Sequence, residues 1–230
     1  MEKAKIRAGV TTKVRILDAA ESLFSQFGYA AVTTRQIAQK AKVVLSALPY
    51  YFGSKREILR QILDRYMRPM QIERARLYEV VTAERLEGQA LVRRILEALL
   101  VPAFGATQQH RVYFCLMGIM STDPNPEVRE LLNEVMGMYP TGIPAGFREA
   151  VPGLTDVEFY RRFYCVIGAM IYVQLDTGRM AYVTGNALDF SAPQENLDLM
   201  VNFFLAGLCA PASKQVIFFV CVDCDPAAQR

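Results

Sequence analysis

Thr33-Thr34-Arg35-Gln36-Ile37-Ala38-Gln39-Lys40-Ala41, then Lys42-Val43-Val44-Leu45-Ser46-Ala47-Leu48-Pro49-Tyr50-Tyr51-Phe52, then Gly53-Ser54-Lys55-Arg56-Glu57 form the stretch on which the fold turns. Thr33 and Gln36 have the three-residue spacing of a capping box, and Ile37, Ala38 and Ala41 supply one short apolar helical face of about two turns. A tight turn around Lys42 and Val43 leads into the compact segment 44–51. Proline has no N–H to donate and is comfortable only in a first helical turn, so Ser46 is expected to cap this segment, with Pro49 as its third helical residue. Ser54 and Glu57 repeat the capping spacing and open a long helix with Ile58, Leu59, Ile62, Leu63 and Tyr66 on one face.

Upstream, a run beginning at Thr12 places Ile16, Leu17, Ala20, Leu23, Phe24 and Phe27 at helical spacing, and Gly28 supplies a left-handed stop. Short helices joined by a tight turn between the second and third make a helix-turn-helix, in which the second braces and the third enters the major groove of duplex DNA. Charge points the same way. Residues 1–68 hold 13 Lys and Arg against 5 Asp and Glu, a balance of +8; residues 69–230 hold 13 against 18, a balance of −5. A cationic module on an acidic body fits a polyanion bound by one segment, because phosphate neutralisation supplies much of nucleic-acid affinity.

At these residues the chain resembles the TetR/AcrR family of transcriptional regulators. The resemblance rests on Ile16-Leu17-Asp18-Ala19-Ala20-Glu21-Ser22-Leu23-Phe24, Gly28-Tyr29, Thr33-Thr34, Ile37-Ala38-Gln39-Lys40-Ala41 and Tyr50-Tyr51-Phe52-Gly53-Ser54-Lys55, in order and with family spacing over residues 13 to about 60. It implies phosphate contacts from Thr34 and Arg35 at a helix N-terminus, where free N–H groups and the dipole favour an anion. It further implies a backbone clamp from Tyr51 and Lys55, and base edges met by Leu45, Ser46, Ala47 and Tyr50. Lys42, Val44 and Pro49 depart from the usual family residues Gly, Ser and Tyr. With few polar side chains on the reading surface, phosphate contacts and DNA shape are expected to carry much of the specificity.

The rest of the chain reads as further helices, with boundaries near Gly88, Gly105, Asp123 to Pro126, Pro140 to Pro144, Pro152-Gly153 and Ser191 to Pro193. Asn125-Pro126 is a cap followed by a first-turn proline, and Thr155/Glu158 and Ser191/Gln194 have capping-box spacing. No alternating strand pattern of useful length precedes residue 215. The expected fold is therefore all-α: a helix-turn-helix domain with the start of a connecting helix (1–68), a larger helical ligand-binding and dimerisation domain (69–212), and a tail (213–230) without an assigned role.

Two helices near the C-terminus are apolar on both faces. From Asp156 to Gln174, Phe159, Phe163, Val166, Ile167, Met170 and Val173 oppose Tyr160, Tyr164, Gly168, Ile171, Tyr172 and Leu175. From Gln194 to Leu208, Leu197, Met200, Val201, Phe204 and Leu208 oppose Leu199, Phe203 and Ala206. Such helices need cover on both sides, either inside one larger core or with a partner copy on the second face. Similar positions in the family form a four-helix homodimer interface, which would present paired recognition helices to half-sites about one DNA turn apart or somewhat more.

The family also binds small molecules among the body helices. Phe104, Tyr113, Met117, Phe163, Met170 and Gln174 are the candidate lining, rich in the pliable Met and aromatic groups that suit an apolar or amphipathic effector. The implied activity is a ligand-responsive transcriptional regulator, a repressor released from its double-stranded DNA operator. The connecting helix 54–68 would act as lever, with a break at Arg68-Pro69 as pivot. The alternative is a helical small-molecule-binding protein with weak or lost DNA affinity.

Composition excludes other classes. In 230 residues, 52% hydrophobic and 21% charged, no apolar run reaches the roughly 20 residues that cross a bilayer. The N-terminus lacks a secretory h-region, so a cytoplasmic location is expected. Cys115, Cys165, Cys209, Cys221 and Cys224 are too few and scattered for a disulfide framework, and the Cys221/Cys224 pair has no second pair or His to complete a metal site. No cofactor or metal is expected. The lone histidine, His110, reads as a surface-turn residue, and no catalytic set is apparent, so an enzyme is not expected.

Overall fold

A computed structural model describes residues 2–104, 108–175, 178–187 and 193–212. They form helices α1 (Glu2–Phe27), α2 (Thr34–Ala41), α3 (Ala47–Phe52), α4 (Lys55–Ala83), α5 (Gly88–Leu100), α6 (Gln108–Ser121), α7 (Pro126–Gly137), α8 (Ile143–Ala150), α9 (Asp156–Leu175), α10 (Arg179–Val183) and α11 (Pro193–Cys209), with a 3-10 turn at Val101–Ala103. The fold is all-helical. Ser191 and the tail 213–230 lie outside the described residues. No described helix is long and apolar enough to cross a membrane.

Local signals place most N-terminal boundaries. Thr33 accepts from the Gln36 N–H while Gln36 Oε1 accepts from the Thr33 N–H at 2.7 Å, closing the reciprocal box. Gly28, at φ 77°, stops α1 in the left-handed region. The box expected at Ser54 is only half made: its hydroxyl accepts from the Glu57 N–H, but the Glu57 carboxylate turns to Arg60 and Gln61. α1 begins at Glu2 rather than Thr12: Ala4, Ile6, Ala8 and Val10 fall at alternate positions and give no helical apolar period, yet no proline there breaks a helix. His110 lies within α6, not in a turn before it.

α1, α2 and α3 gather around the first turns of α4, burying Ile16, Ala20, Phe24, Ile37, Leu48, Phe52, Ile58 and Leu59 in one small core. The body is built on the rest of α4, against which α5, α6, α7 and α8 pack; α11 lies on α5, and α9 lies between α6 and α11. The break expected at Arg68-Pro69 is absent. α4 runs unbroken through Pro69, which denies the Arg65 carbonyl its usual N–H partner. Packing overrides that local penalty of about 3 kcal/mol, since Met67, Met70, Gln71 and Arg74 on either side are all buried against the body. A division at residue 68 therefore falls inside a single helix shared by both units.

α4 and α8 approach closely at Gly146. A Cβ there would stand 2.6 Å from Cζ of Tyr78, a rigid ring that cannot swing aside cheaply. Overpacking of this kind costs about 1–3 kcal/mol, against which the better helix propensity of Ala returns somewhat under 1 kcal/mol. Gly146→Ala should lower the urea midpoint by the equivalent of about 1–2 kcal/mol, whereas Gly137→Ala, where a Cβ meets nothing within 4 Å, should not lower it.

Candidate nucleic-acid interface and effector cavity

The head of α3 is unusual in what it exposes. Ser46 sits at the cap position in helical geometry and makes no capping bond, so the chain enters α3 through two i→i+3 bonds, Ala47 N–H to the Val44 carbonyl and Leu48 N–H to the Leu45 carbonyl. Pro49 is the third helical residue, as its missing N–H requires. Leu48 and Phe52 face inward, while Val44, Leu45, Ser46 and Tyr50 stand out, Tyr50 at 79% exposure with its ring edge-on to Tyr51. Ala47 and Tyr51 are half-buried. Val44 is the residue that sequence reasoning passed over here. It was weighed only as a missing cap, yet at 71% exposure it extends the apolar patch beside Leu45.

Thr34 and Arg35 are exposed in the first turn of α2, and Arg35 makes no ion pair among the described residues. Lys40 and Lys42 are exposed at the other end of the same helix. Arg15, a further cation of this unit, is spent internally: its guanidinium donates to the Ala41 and Lys42 carbonyls, satisfying the C-terminus of α2.

Lys55 does not sit as a free backbone clamp. Its Nζ donates to the carbonyls of Tyr29 and Val32, both at 2.7 Å, and lies 4.1 Å from the centre of the Tyr29 ring. Burial holds its pKa below the ordinary lysine value. The side chain staples the α1–α2 connection to α4 and thereby orients Thr34 and Arg35.

The body contains a cavity of about 510 Å³ bounded by α4, α6, α7, α8 and α9 with Leu99 of α5. Of the six residues expected to line it, Tyr113, Met117, Phe163 and Met170 do. Phe104 and Gln174 do not: Phe104 is buried at the end of the 3-10 turn, and Gln174 donates to the Ala103 carbonyl to close that turn. Sequence reasoning missed Gln71 and Arg74, the only buried polar or charged side chains among the described residues, and both line the cavity. Arg74 Nε donates to the Leu99 carbonyl at 2.9 Å, Nη1 to Gln71 Oε1 at 3.0 Å and Nη2 to the Met170 sulfur at 3.5 Å. Burial presses the Arg74 guanidinium below its usual range and lifts the Tyr113 phenol to about 12.

The comparisons agree with this division of labour. Residues 16–62 match the model for bacterial regulatory proteins of the tetR family, and residues 93–207, half of the chain, match that for the tetracyclin repressor-like C-terminal domain. The chain belongs to the TetR family. Its members are DNA-binding regulators of transcription; the reader falls in the first matched region and most of the cavity lining in the second, with Met67, Gln71 and Arg74 of α4 between the two. The HTH-type transcriptional regulator RutR of Escherichia coli (strain K12) is 44% identical over 69 residues, 28% of this chain and 32% of that regulator. The A-factor receptor protein of Streptomyces griseus is 36% identical over 70 residues, 30% of this chain and 25% of the receptor. The aligned stretch thus spans a third or less of these relatives. Over the whole fold, the transcriptional regulator FadR of Bacillus subtilis, in complex with stearoyl-CoA, superposes with a TM-score of 0.55 at 15% identity, covering 84% of this chain and 98% of that one.

Within this TetR-family reader, Arg35 and Lys55 should separate cleanly in solution. Lys55→Met removes two charge-assisted hydrogen bonds that are partly exposed and should cost about 1–2 kcal/mol of stability, read by urea denaturation. Arg35→Ala, exposed and unpaired, should stay within about 0.5 kcal/mol of the parent.

Proposed function

We propose that this protein is a ligand-responsive, DNA-binding transcriptional regulator of the cytoplasm, a homodimeric repressor released from its operator by a small apolar or amphipathic molecule. The observation that carries this reading is α4: one unbroken helix whose first turns anchor the exposed cationic reader and whose middle forms a wall of the apolar cavity. A molecule entering the cavity meets the element that sets where α2 and α3 stand. It acts by binding one arrangement of the helices better than the other, and release of DNA requires coupling of about 1–3 kcal/mol. The FadR of the same fold holds stearoyl-CoA, an amphipath, and the Met and aromatic walls of this cavity suit the same broad class.

Dimerisation is supported by the outer faces of α9 and α11. On α9, Phe159, Val166 and Met170 are buried while Val157, Tyr160, Tyr164 and Tyr172 are exposed; on α11, Leu197, Met200, Val201, Phe204 and Leu208 are buried while Leu199 and Phe203 are exposed. The two helices pack together, and Arg162 of α9 secures the end of α11 by donating to the Gly207, Ala210 and Pro211 carbonyls while pairing with Glu158. Two adjacent helices with large side chains in water form the contiguous apolar patch that a second copy would cover.

Titration against duplex DNA from upstream of the protein's own gene tests the reading. Affinity should fall steeply with salt, and Arg35→Ala should weaken binding and reduce the salt slope by about one. A slope indifferent to Arg35 would count against it. Tyr164→Glu combined with Phe203→Glu should sediment as a monomer at concentrations where the parent is dimeric, and should lose operator affinity with it.

A further inference from the structure

We infer that the body cavity is built for an amphipathic carboxylate whose anionic head is received by Arg74 in the protein interior, with the apolar body lying along the Met-lined wall toward the rim. This deepens the ligand-responsive reading above and rests on it.

The inference starts from an imbalance of charge. Arg74 is only 7% exposed, yet the groups it touches are a backbone carbonyl, an amide oxygen and a thioether sulfur, all neutral. Buried guanidinium groups are ordinarily matched by a carboxylate, because removal of an ion from water is costly unless an opposite charge accompanies it. Among the described residues no Asp or Glu lines this cavity, and the other charged residue there, Arg129, is again a cation. Arg129 stands exposed at the α7 rim beside Asn133, with no ion pair among the described residues. The chamber therefore carries positive charge at its interior and at its mouth.

The polar contacts of Arg74 leave room for such a ligand. Each guanidinium nitrogen makes one bond, and of the five N–H groups the one directed to Met170 has a thioether, a weak acceptor, at 3.5 Å. A carboxylate takes two parallel N–H bonds from a guanidinium, replacing that weak contact with charge-assisted ones. Gln71 and the Tyr113 phenol are further polar groups of the interior, and the rest of the interior wall is apolar: Met67, Leu99, Phe114, Met117, Met120, Met170. A buried cationic point and a pliable apolar surface call for an amphipath with a single acidic head.

The cleft of about 410 Å³ between α4, α5 and α11 offers a contrast within the same molecule. Its Arg94 pairs with Glu84 and with Glu97, and Glu97 and Asp198 line that cleft themselves. Arg94 there already has its anions, and Arg93, which donates to Asn202, shares the cleft with Glu97 and Asp198; Arg74 has no carboxylate among the described residues of its cavity.

Isothermal titration of the full-length protein with decanoate, decanol and decanoyl-CoA, for the parent and for Arg74→Met, tests the assignment without reference to DNA. The parent should bind decanoate about 10- to 100-fold more tightly than decanol, the range expected of a desolvated charge-assisted pair. Arg74→Met should lose that preference while retaining decanol. The same variant should melt no lower than the parent, because an apolar side chain of similar length replaces an unpaired buried charge, so loss of decanoate binding is not a consequence of unfolding. Equal binding of decanoate and decanol by the parent, decanoate affinity within threefold of the parent in Arg74→Met, preference for the thioester in both proteins, or no binding of any of the three would each overturn the assignment. Operator binding by a protein that ignores all three compounds would remove the carboxylate site and leave the regulator standing. Tight decanoate binding with no effect on DNA would do the reverse.

Discussion

The continuity of α4 through Pro69 is the constraint on which the molecule depends. A helix with proline at its centre lacks one backbone hydrogen bond at that point, and the carbonyl of Arg65 must do without its partner from position 69. The helix survives because both flanks are held. Arg65 reaches across to Asp18 and Glu21 on α1, Asp64 and Arg68 share the hydroxyl of Tyr139 beyond the end of α7, and Met67 and Met70 are sunk in the body core. The place where α4 is intrinsically weakest is thus where the reader and the body are tied to it from both sides. Small displacements of the body can reach α2 and α3 through this helix, since the reader's core, Ile58, Leu59 and Ile62, is part of the same element.

Further ties bypass the proline. Arg56, in the first turn of α4, pairs with Glu134 on α7 at 2.6 Å, and α6 packs on α1, with the Ile119 side chain 3.8 Å from where a Cβ on Gly28 would sit. Arg56 and Glu134 are well exposed, so their pair contributes orientation more than stability. α7 and α6 also wall the cavity through Arg129, Leu132, Met117 and Met120. The reader is therefore in touch with cavity walls by three routes, α4, α6 and α7. A molecule that moves those walls need not bend α4 to shift the reader.

How much of this could be read from the chain divides by the range of the interaction. Thr33 with Gln36 and Asn125 with Pro126 are signals within one turn, and the structure has both. The two-faced character of α9 and α11 follows from helical period alone; the buried and exposed sets of α11 fall as the period assigns them, while on α9 Ile171 and Leu175 of the second set turn out part-buried, Leu175 against Gly118 of α6. Lys55 and Pro69 were legible as residues but not as roles. What Lys55 does is decided by carbonyls 23 and 26 positions away, and whether Pro69 ends a helix is decided by what packs against Met67 and Met70. Arg74 was hidden by its neighbours, since Glu73-Arg74-Ala75-Arg76 looks like a solvated charged surface. The available signal was position: 67, 70, 71, 74 and 81 share one face, and Arg74 stands on it between buried Met67 and Val81. A charge on the inward stripe of an amphipathic helix is more informative than several on the outward one.

That inward charge links the connecting helix to the outer face of the body. Arg74 belongs to α4, the lever; its neutral acceptors belong to α5 through Leu99 and to α9 through Met170. α9 in turn carries the exposed Tyr160, Tyr164 and Tyr172 of the face assigned to the second copy. An anion seated on the guanidinium would draw away the weak contact to Met170 and satisfy Arg74 on its own, loosening the one polar link between lever and dimer helix at that depth. Only a ligand that favours the loosened arrangement over the linked one can shift the population between them, however tightly it binds. A neutral apolar molecule of the same size fills the cavity without that preference, because it leaves the guanidinium where it was. If the cavity takes an anionic head as proposed, the chemistry of that head, more than the volume of the tail, sets how strongly a bound molecule shifts the balance between the two arrangements.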